Sequence, residues 1–318
     1  MRNLNGNRFL VIGRAGLDLY AEPPGTKIED ALNFSAALGG SAANIAVALV
    51  RQGCEAALLT TVSDDAVGHY TLKALSRYGV STKFIACVGG EARNSLAVVE
   101  TRPENCQSVI YRNDAADFQM KSTFVSGIDY GAFSALIVTG TCLAKEPSRS
   151  ATLLAMDMAR SANLPIIIDV DYRPYSWQSS AEAGEVCLKA AELCDLIVAN
   201  DEEFAVLAAK PDGLDLAKRL SEREGRTVIY KRGGKGCSVF TQSEKFDLPV
   251  FSVKALKPTG AGDAFLGGLL AALVSGTNLR ASVRRAAATA AIVVTRVGCA
   301  PAMPDAETVH RFMLQASH

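Results

Sequence analysis

The chain has no excess of charge of either sign: 33 Lys and Arg stand against 33 Asp and Glu in 318 residues. A surface so balanced lacks the broad basic field that nucleic acid or an anionic membrane requires, so neither is expected as a partner. No uninterrupted apolar run approaches the roughly 20 residues needed to cross a bilayer. The residues before Phe9 are polar, and the expected location is the cytosol. Cys-x-x-Cys is missing too. The eight cysteines are scattered and only three histidines are present, which argues against a zinc site or a disulfide framework and for reduced, mostly buried thiols. Two phosphate-binding fingerprints are absent as well. No Gly-x-x-x-x-Gly-Lys-Ser/Thr stretch occurs. Gly260-Ala261-Gly262 lies far from any N-terminal strand unit and carries Phe265 where a dinucleotide fingerprint has its third glycine.

What is present is the material of a large core, with 49% hydrophobic and 21% charged residues, enough for one large α/β domain or two smaller ones. Short apolar runs alternate with helical patterns. Strands are predicted at Phe9 to Gly13, Ala56 to Val62, Ala135 to Gly140, Ile166 to Asp169, Leu196 to Ala199 and Thr227 to Lys231. Helices are predicted from Gly39 to about Gln52, and at Asp65 to Tyr78, Pro147 to Asn163 and Glu182 to Cys194. This rhythm predicts a parallel sheet flanked by helices. Asn94 to Thr101 and Ser108 to Arg112 break it, and with the segment from Gly16 to Phe34 they could build a small accessory sheet that excludes water from a reacting centre.

The chemistry concentrates in Lys257-Pro258-Thr259-Gly260-Ala261-Gly262-Asp263-Ala264-Phe265, which opens a small-residue helix running to Ser275, with Leu270 to Ser275 and Leu279 to Val294 as the closing helical stretches. Gly260 and Gly262 permit a tight backbone turn. The backbone N–H groups of Gly260, Ala261 and Gly262, at the positive end of the helix dipole, suit an anion such as phosphate. The same field would keep Asp263 ionised and able to take a proton from a hydroxyl; equally, Asp263 could only complement the dipole.

Other candidates stand near strand ends, where ligands of open parallel sheets bind. Asp18 could accept from the hydroxyls of a polyol or simply shape a turn. Gly39 and Gly40 allow close approach at a helix start, and Asn44 offers both a donor and acceptors to a sugar. Tyr111 and Arg112 are candidate substrate contacts, with a solvated edge charge as the alternative for Arg112. Arg173 suits a carboxylate but competes with an ion pair to Asp169 or Asp171. Asn200 and Glu203 fit magnesium carried on phosphates, and equally a helix capping box. Lys231 with Gly233 and Gly236 forms a turn that could pass close to a nucleotide, or a bare hairpin.

Together, Gly39-Gly40-Ser41-Ala42-Ala43-Asn44-Ile45-Ala46 and Gly260-Ala261-Gly262-Asp263 resemble the two signatures of the ribokinase-like sugar kinases, the phosphofructokinase B family. Asn200-x-x-Glu203 and the Lys231 to Gly236 turn match it too. The resemblance implies that residues 1–318 form one kinase domain, α/β, with a central mostly parallel sheet, flanking helices and a β lid drawn from about residues 16–34 and 94–113. It implies transfer of the γ-phosphate of ATP, with Mg²⁺, to a sugar hydroxyl. Asp263 matches the family's base, the Gly260 to Gly262 amides its anion hole, and Asn200, Glu203, Lys231, Gly233 and Gly236 its nucleotide and metal side. Lys257 departs from the acidic residue usual there. Tyr111-Arg112 and Asp169-x-Asp171-x-Arg173 resemble the contacts of kinases acting on keto-deoxy sugar acids, which would place Asp18, Gly39, Gly40, Asn44, Tyr111, Arg112, Asp171 and Arg173 around the substrate. Pairing of lids implies a homodimer.

Overall fold

The computed structural model describes residues 4–316, so the first three and last two residues of the expected 1–318 domain lie outside the described residues. In chain order the first strands are β1 (Arg8–Ile12), β2 (Gly16–Glu22) and β3 (Asn33–Gly39), followed by α1 (Ser41–Arg51), β4 (Glu55–Ser63), α2 (Ala66–Arg77) and β5 (Ser81–Val88). Next come β6 (Leu96–Val99), β7 (Ser108–Tyr111), the single turn α3 (Ser122–Val125), β8 (Ala135–Thr139), α4 (Ser148–Ser161), β9 (Ile166–Asp169), α5 (Ser180–Ala191) and β10 (Leu196–Asn200). The remainder is α6 (Asp201–Ala208), α7 (Leu214–Ser221), β11 (Thr227–Lys231), β12 (Cys237–Thr241), β13 (Lys245–Leu248), α8 (Ala261–Val274), α9 (Leu279–Val294) and α10 (Ala306–Gln315).

These elements fall into two compact units, one built from the chain up to Ile12 with Met120–Val250, the other from Gly13–Gln119 with the chain from Phe251 onward. In the first unit the strand order is β13-β12-β11-β10-β9-β8-β1. Neighbours from β1 to β11 are parallel, and β12 and β13 add antiparallel to that edge. Strands β8 and β9, ALIVT and IIID, are buried along their whole length, as expected of parallel strands covered on both faces. Helix α4 packs on both of them.

The second unit holds the parallel pair β4 and β5 and a separate four-stranded sheet, in the order β3-β2-β6-β7. Strand β2 runs antiparallel to β3 and parallel to β6, and β6 is antiparallel to β7. The stretch before Gly39, which carries little strand signal in sequence, is therefore an ordered strand. Its outer residues Asn33 to Ala36 are exposed, so the apolar alternation that marks a half-buried strand is missing there.

Helix α8 is buried on nearly every side from Ala264 to Ala272, rather than along the single apolar face that Phe265, Leu269, Leu270 and Leu273 suggest. Its small residues are contact surfaces. A Cβ on Gly267 would collide with Ala48 of α1, and one on Gly268 with Thr289 of α9. Leu270 to Ser275 is the last part of this one helix, and α10 rather than α9 is the final one. It starts at Asp305, whose carboxylate accepts from Thr308 N at 2.8 Å.

Replacing Gly267 by Ala tests the packing. In an unconstrained helix the change stabilises by about 0.5–1 kcal/mol. Here overpacking against Ala48 should reverse the sign and cost about 1–3 kcal/mol in urea unfolding. A more stable variant would mean that α1 and α8 are not in fixed contact.

Candidate active site

In the second unit, the chain enters α8 through Gly260, whose φ of 82° lies in the left-handed region. A Cβ there would also press on Cys299 Sγ at 3.0 Å. Asp263 occupies the first turn of α8, where helix N-termini favour negative charge. Its carboxylate Oδ2 accepts from Asn44 Nδ2 at 2.9 Å. Asn44 is buried in α1, and its own Oδ1 has no hydrogen-bond partner.

Gly40, with φ 98°, precedes α1, and a side chain on it would strike the backbone of Arg14. Gly39 pairs with Gly16 across β2–β3, and a Cβ on it would collide with the carboxylate of Asp18, two residues along β2. Gly39 thus supplies the space that Asp18 fills. Asp18 Oδ2 accepts from the Tyr20 hydroxyl at 3.1 Å, while Oδ1 is buried without a partner. Burial pushes the Asp18 carboxyl up from its usual range, opposed by the charges of Arg14 and Lys257 and by the Tyr20 bond. The Tyr20 hydroxyl also accepts from Cys299 N at 3.1 Å, tying β2 to the loop after α9. Sequence reasoning passes over Tyr20 and Cys299, which are 279 residues apart and share no motif.

Arg112 follows β7 and is buried, which removes the solvated edge alternative. Its Nε donates to Asp117 Oδ2 at 3.1 Å, Nη2 donates to the same oxygen, and the guanidinium lies 4.0 Å from the centre of the Phe118 ring. Asp117, which closes the stretch that Tyr111 and Arg112 open, carries no role of its own in the sequence reading. Tyr111 is exposed on β7.

The first unit gathers a separate set. Asp169 ends β9, and Lys231, ending β11, reaches it at 3.7 Å. Asp171, at φ 39°, pairs with Arg173 at 2.7 Å, the competing ion pair foreseen for that guanidinium. Asn200 and Glu203 form the capping box of α6: Glu203 N donates to Asn200 Oδ1 at 2.8 Å and Asn200 N to Glu203 Oε2 at 2.7 Å. Tyr172 N donates to the other carboxylate oxygen, Oε1, at 3.2 Å. Burial pushes the Glu203 carboxyl up to about 7, reinforced by Asp169 and Asp171 and opposed by Lys231 and the Asn200 N–H. Burial raises Asp169 as well. Gly236 sits in the antiparallel hairpin between β11 and β12, where a side chain would strike the Leu248 carbonyl; Gly233, at φ 53°, faces open space.

A family model described as pfkB family carbohydrate kinase matches residues 7–306. The chain belongs to that family. It is 38% identical over 310 residues to a 5-dehydro-2-deoxygluconokinase of Photobacterium profundum, a match covering 96% of this chain and 94% of the relative. Its fold is ribokinase-like, a large, mostly parallel sheet flanked by helices with a small separate sheet. A fructokinase with bound ATP from Xylella fastidiosa superposes with a TM-score of 0.86 at 23% identity, over 98% of this chain and 99% of the other. A putative Ribokinase II in complex with ATP and Mg²⁺ from E. coli also gives 0.86, at 20% identity over 97% and 99%. As a sugar kinase, the chain is a phosphotransferase acting on a small-molecule alcohol.

The raised Glu203 carboxyl fixes a pH signature. Between its ordinary value of 4.5 and about 7, the unfolded chain releases this proton while the folded one keeps it, so this group lowers stability as pH rises through that window. In Glu203→Gln the effect is gone. Denaturant unfolding over a pH series should therefore show the variant gaining on the wild type from about 4.5 to about 7 and levelling above; a flat difference would mean an ordinary carboxyl.

Proposed function

We propose that this chain is an ATP-dependent kinase that phosphorylates the terminal 6-hydroxyl of 5-dehydro-2-deoxy-D-gluconate in myo-inositol breakdown, acting in the cytoplasm. The observation that carries the reading is the pair of buried oxygens without donors, Asp18 Oδ1 and Asn44 Oδ1, in the unit where Asn44 also holds Asp263. Such acceptors call for hydroxyl hydrogens, and a polyol supplies them. The full-length match at 38% identity supports the particular sugar acid.

In this reading Asp263 takes the proton of the terminal hydroxyl as that oxygen bonds to the γ-phosphorus and the bond to the departing ADP breaks. The Asn44 amide holds the carboxylate toward its task. The Gly260, Ala261 and Gly262 amides receive the charge that develops on the phosphoryl oxygens. In the second unit we assign Asp18, Gly39, Gly40, Asn44, Tyr111 and Arg112 to the sugar; in the first unit we assign Asp171 and Arg173 to it, the Arg173 guanidinium to its carboxylate.

Asn200, Glu203, Lys231, Gly233 and Gly236 make up the nucleotide side. Among the described residues no group of three or more His, Cys, Asp or Glu is placed to chelate a metal. The buried carboxylates of Asp169, Asp171 and Glu203 influence one another and face one half-buried lysine, Lys231, so the donor set fits a hydrated divalent cation carried on phosphates. Magnesium would there neutralise phosphate charge, held by Asn200 and Glu203 through its waters. A homodimer through the small sheet fits the exposed Phe34, Val109 and Tyr111 on β3 and β7.

One observation favours a second reading. Arg112 and Arg173 each already face a carboxylate, Asp117 and Asp171, as they could in a neutral-sugar kinase of the fructokinase or ribokinase type. ADP release with ATP and Mg²⁺ over 5-dehydro-2-deoxygluconate, 2-keto-3-deoxygluconate, fructose and ribose separates these. The first should lead in kcat/KM, and a leading neutral sugar would overturn the acid assignment. A non-catalytic sugar-binding regulator would release no ADP with any of them.

Two variants test the roles. Asp263→Asn should lower kcat by roughly 10²–10⁴ with ATP binding nearly unchanged, the usual worth of a general base. Arg173→Ala should raise KM for the acid by about tenfold or more while sparing neutral sugars, since the lost contact is a charge-assisted one.

A further inference from the structure

Lys257 has no exposed surface, an unusual state for a residue that is almost never buried without a partner. Its Nζ donates to the carbonyl oxygen of Thr259, two residues along, at 2.5 Å. The backbone on this side is pinned as well, since Leu256 N and Lys257 N both donate to Val294 O at the end of α9, at 2.8 and 3.3 Å. Burial depresses the Lys257 ammonium, while Cys299, Asp263, Cys106 and Asp18 support it in that order. The side chain therefore loops back on its own segment and places a cation among the groups that surround the start of α8.

That hydrogen bond constrains one peptide plane. In a planar trans peptide the C=O and the following N–H point in opposite directions. With the Thr259 carbonyl held toward Nζ, the Gly260 N–H of the same plane must point away from the ammonium. Gly260 is also the residue at left-handed φ, a region that favours glycine, and as the N-cap of α8 it makes no side-chain cap bond. The Thr259 hydroxyl gives no help inside the protein, being buried without a partner.

We infer that Lys257 is a positioning residue for phosphoryl transfer: its ammonium holds the Thr259 carbonyl and thereby aims the Gly260 N–H into the anion-binding turn of α8. The inference rests on the kinase reading above and adds the group that orients that turn. In this role Lys257 acts through the Thr259–Gly260 peptide and not on the reacting oxygen itself. Its effect belongs to the transition state, because the charge received by the amide develops there.

The test uses the full-length enzyme on its best sugar, with wild-type turnover measured first. Lys257→Met keeps an unbranched stem as far as the ε position and removes the ammonium. Its kcat should fall by about 10²–10³, the worth of one misdirected oxyanion donor, with the Kd for ATP nearly unchanged. Lys257→Ala should regain part of its rate, saturably, with ammonium chloride and not with tetramethylammonium chloride at equal ionic strength. A structural filler would not respond to a small cation. A Lys257→Met kcat within about threefold of wild type overturns the inference and leaves the kinase reading standing. So does a folded Lys257→Ala enzyme of low kcat that ammonium leaves unchanged. If Lys257→Met does not fold, Lys257→Ala prepared in ammonium decides. Loss of rate on exchange into tetramethylammonium with an unchanged circular dichroism spectrum supports the inference, and an unchanged rate overturns it. A wild-type chain that turns over no sugar overturns both readings at once.

Discussion

The close approach of α1 and α8 is the constraint on which the rest of the centre depends. Gly267 admits Ala48 because it has no side chain. Asn44 stands one helical turn before Ala48, and Asp263 one turn before Gly267, so the same contact that seats the helices brings the amide to the carboxylate at 2.9 Å. A polar bond between two buried helices needs a fixed axial distance. Dispersion contacts between small residues supply that distance because they tolerate no slack.

Buried charge is handled by the same logic in each unit. Around α8, the Lys257 ammonium stands among Asp18, Asp263 and Cys299; at the ends of β9 and β11, Lys231 stands among Asp169, Glu203 and Asp171. In both, desolvation by burial is the leading influence; Lys231 comes second for Asp169 and Glu203, whereas for Asp18 the Arg14 charge outweighs that of Lys257. Such clusters are costly to leave unmatched, and phosphates, hydroxyls and cations are groups that complete them. The unsatisfied oxygens of Asp18 and Asn44 are a local form of the same incompleteness.

Much of this architecture is legible in the sequence. Ile166 to Asp169 and Thr227 to Lys231 occur as strands with the bounds the apolar runs give, because strands covered on both faces have no alternative reading of comparable burial. Strands β3 and β5 and helices α7 and α10 are not legible. β3 and β5 are half-exposed, with Asn33, Ser35, Ser81 and Lys83 among their residues, and α10 buries only Val309. The Gly-Ala-Gly-Asp turn and Asn44 are local signals and can be read. Tyr20 with Cys299 is a tertiary fact, its partners 279 residues apart and sharing no motif; Arg112 with Asp117 is local, five residues apart, but an Arg and an Asp at that spacing do not announce a buried pair. Asn200 and Glu203 show the limit from the other side, since a capping box and a cation ligand pair are spelled identically and the fold makes the box.

Gly39 and Asp18 also restrict the order in which this centre can change. The Asp18 carboxylate lies where any side chain on Gly39 would have to be, so no substitution at Gly39 is open while the aspartate remains. The reverse order is free: a smaller residue at position 18 empties the volume, after which position 39 can fill it. A lineage that takes those two steps cannot regain the carboxylate without first returning to glycine. The missing side chain thus acts as a ratchet on this pair of positions, easy to leave in one direction and closed in the other.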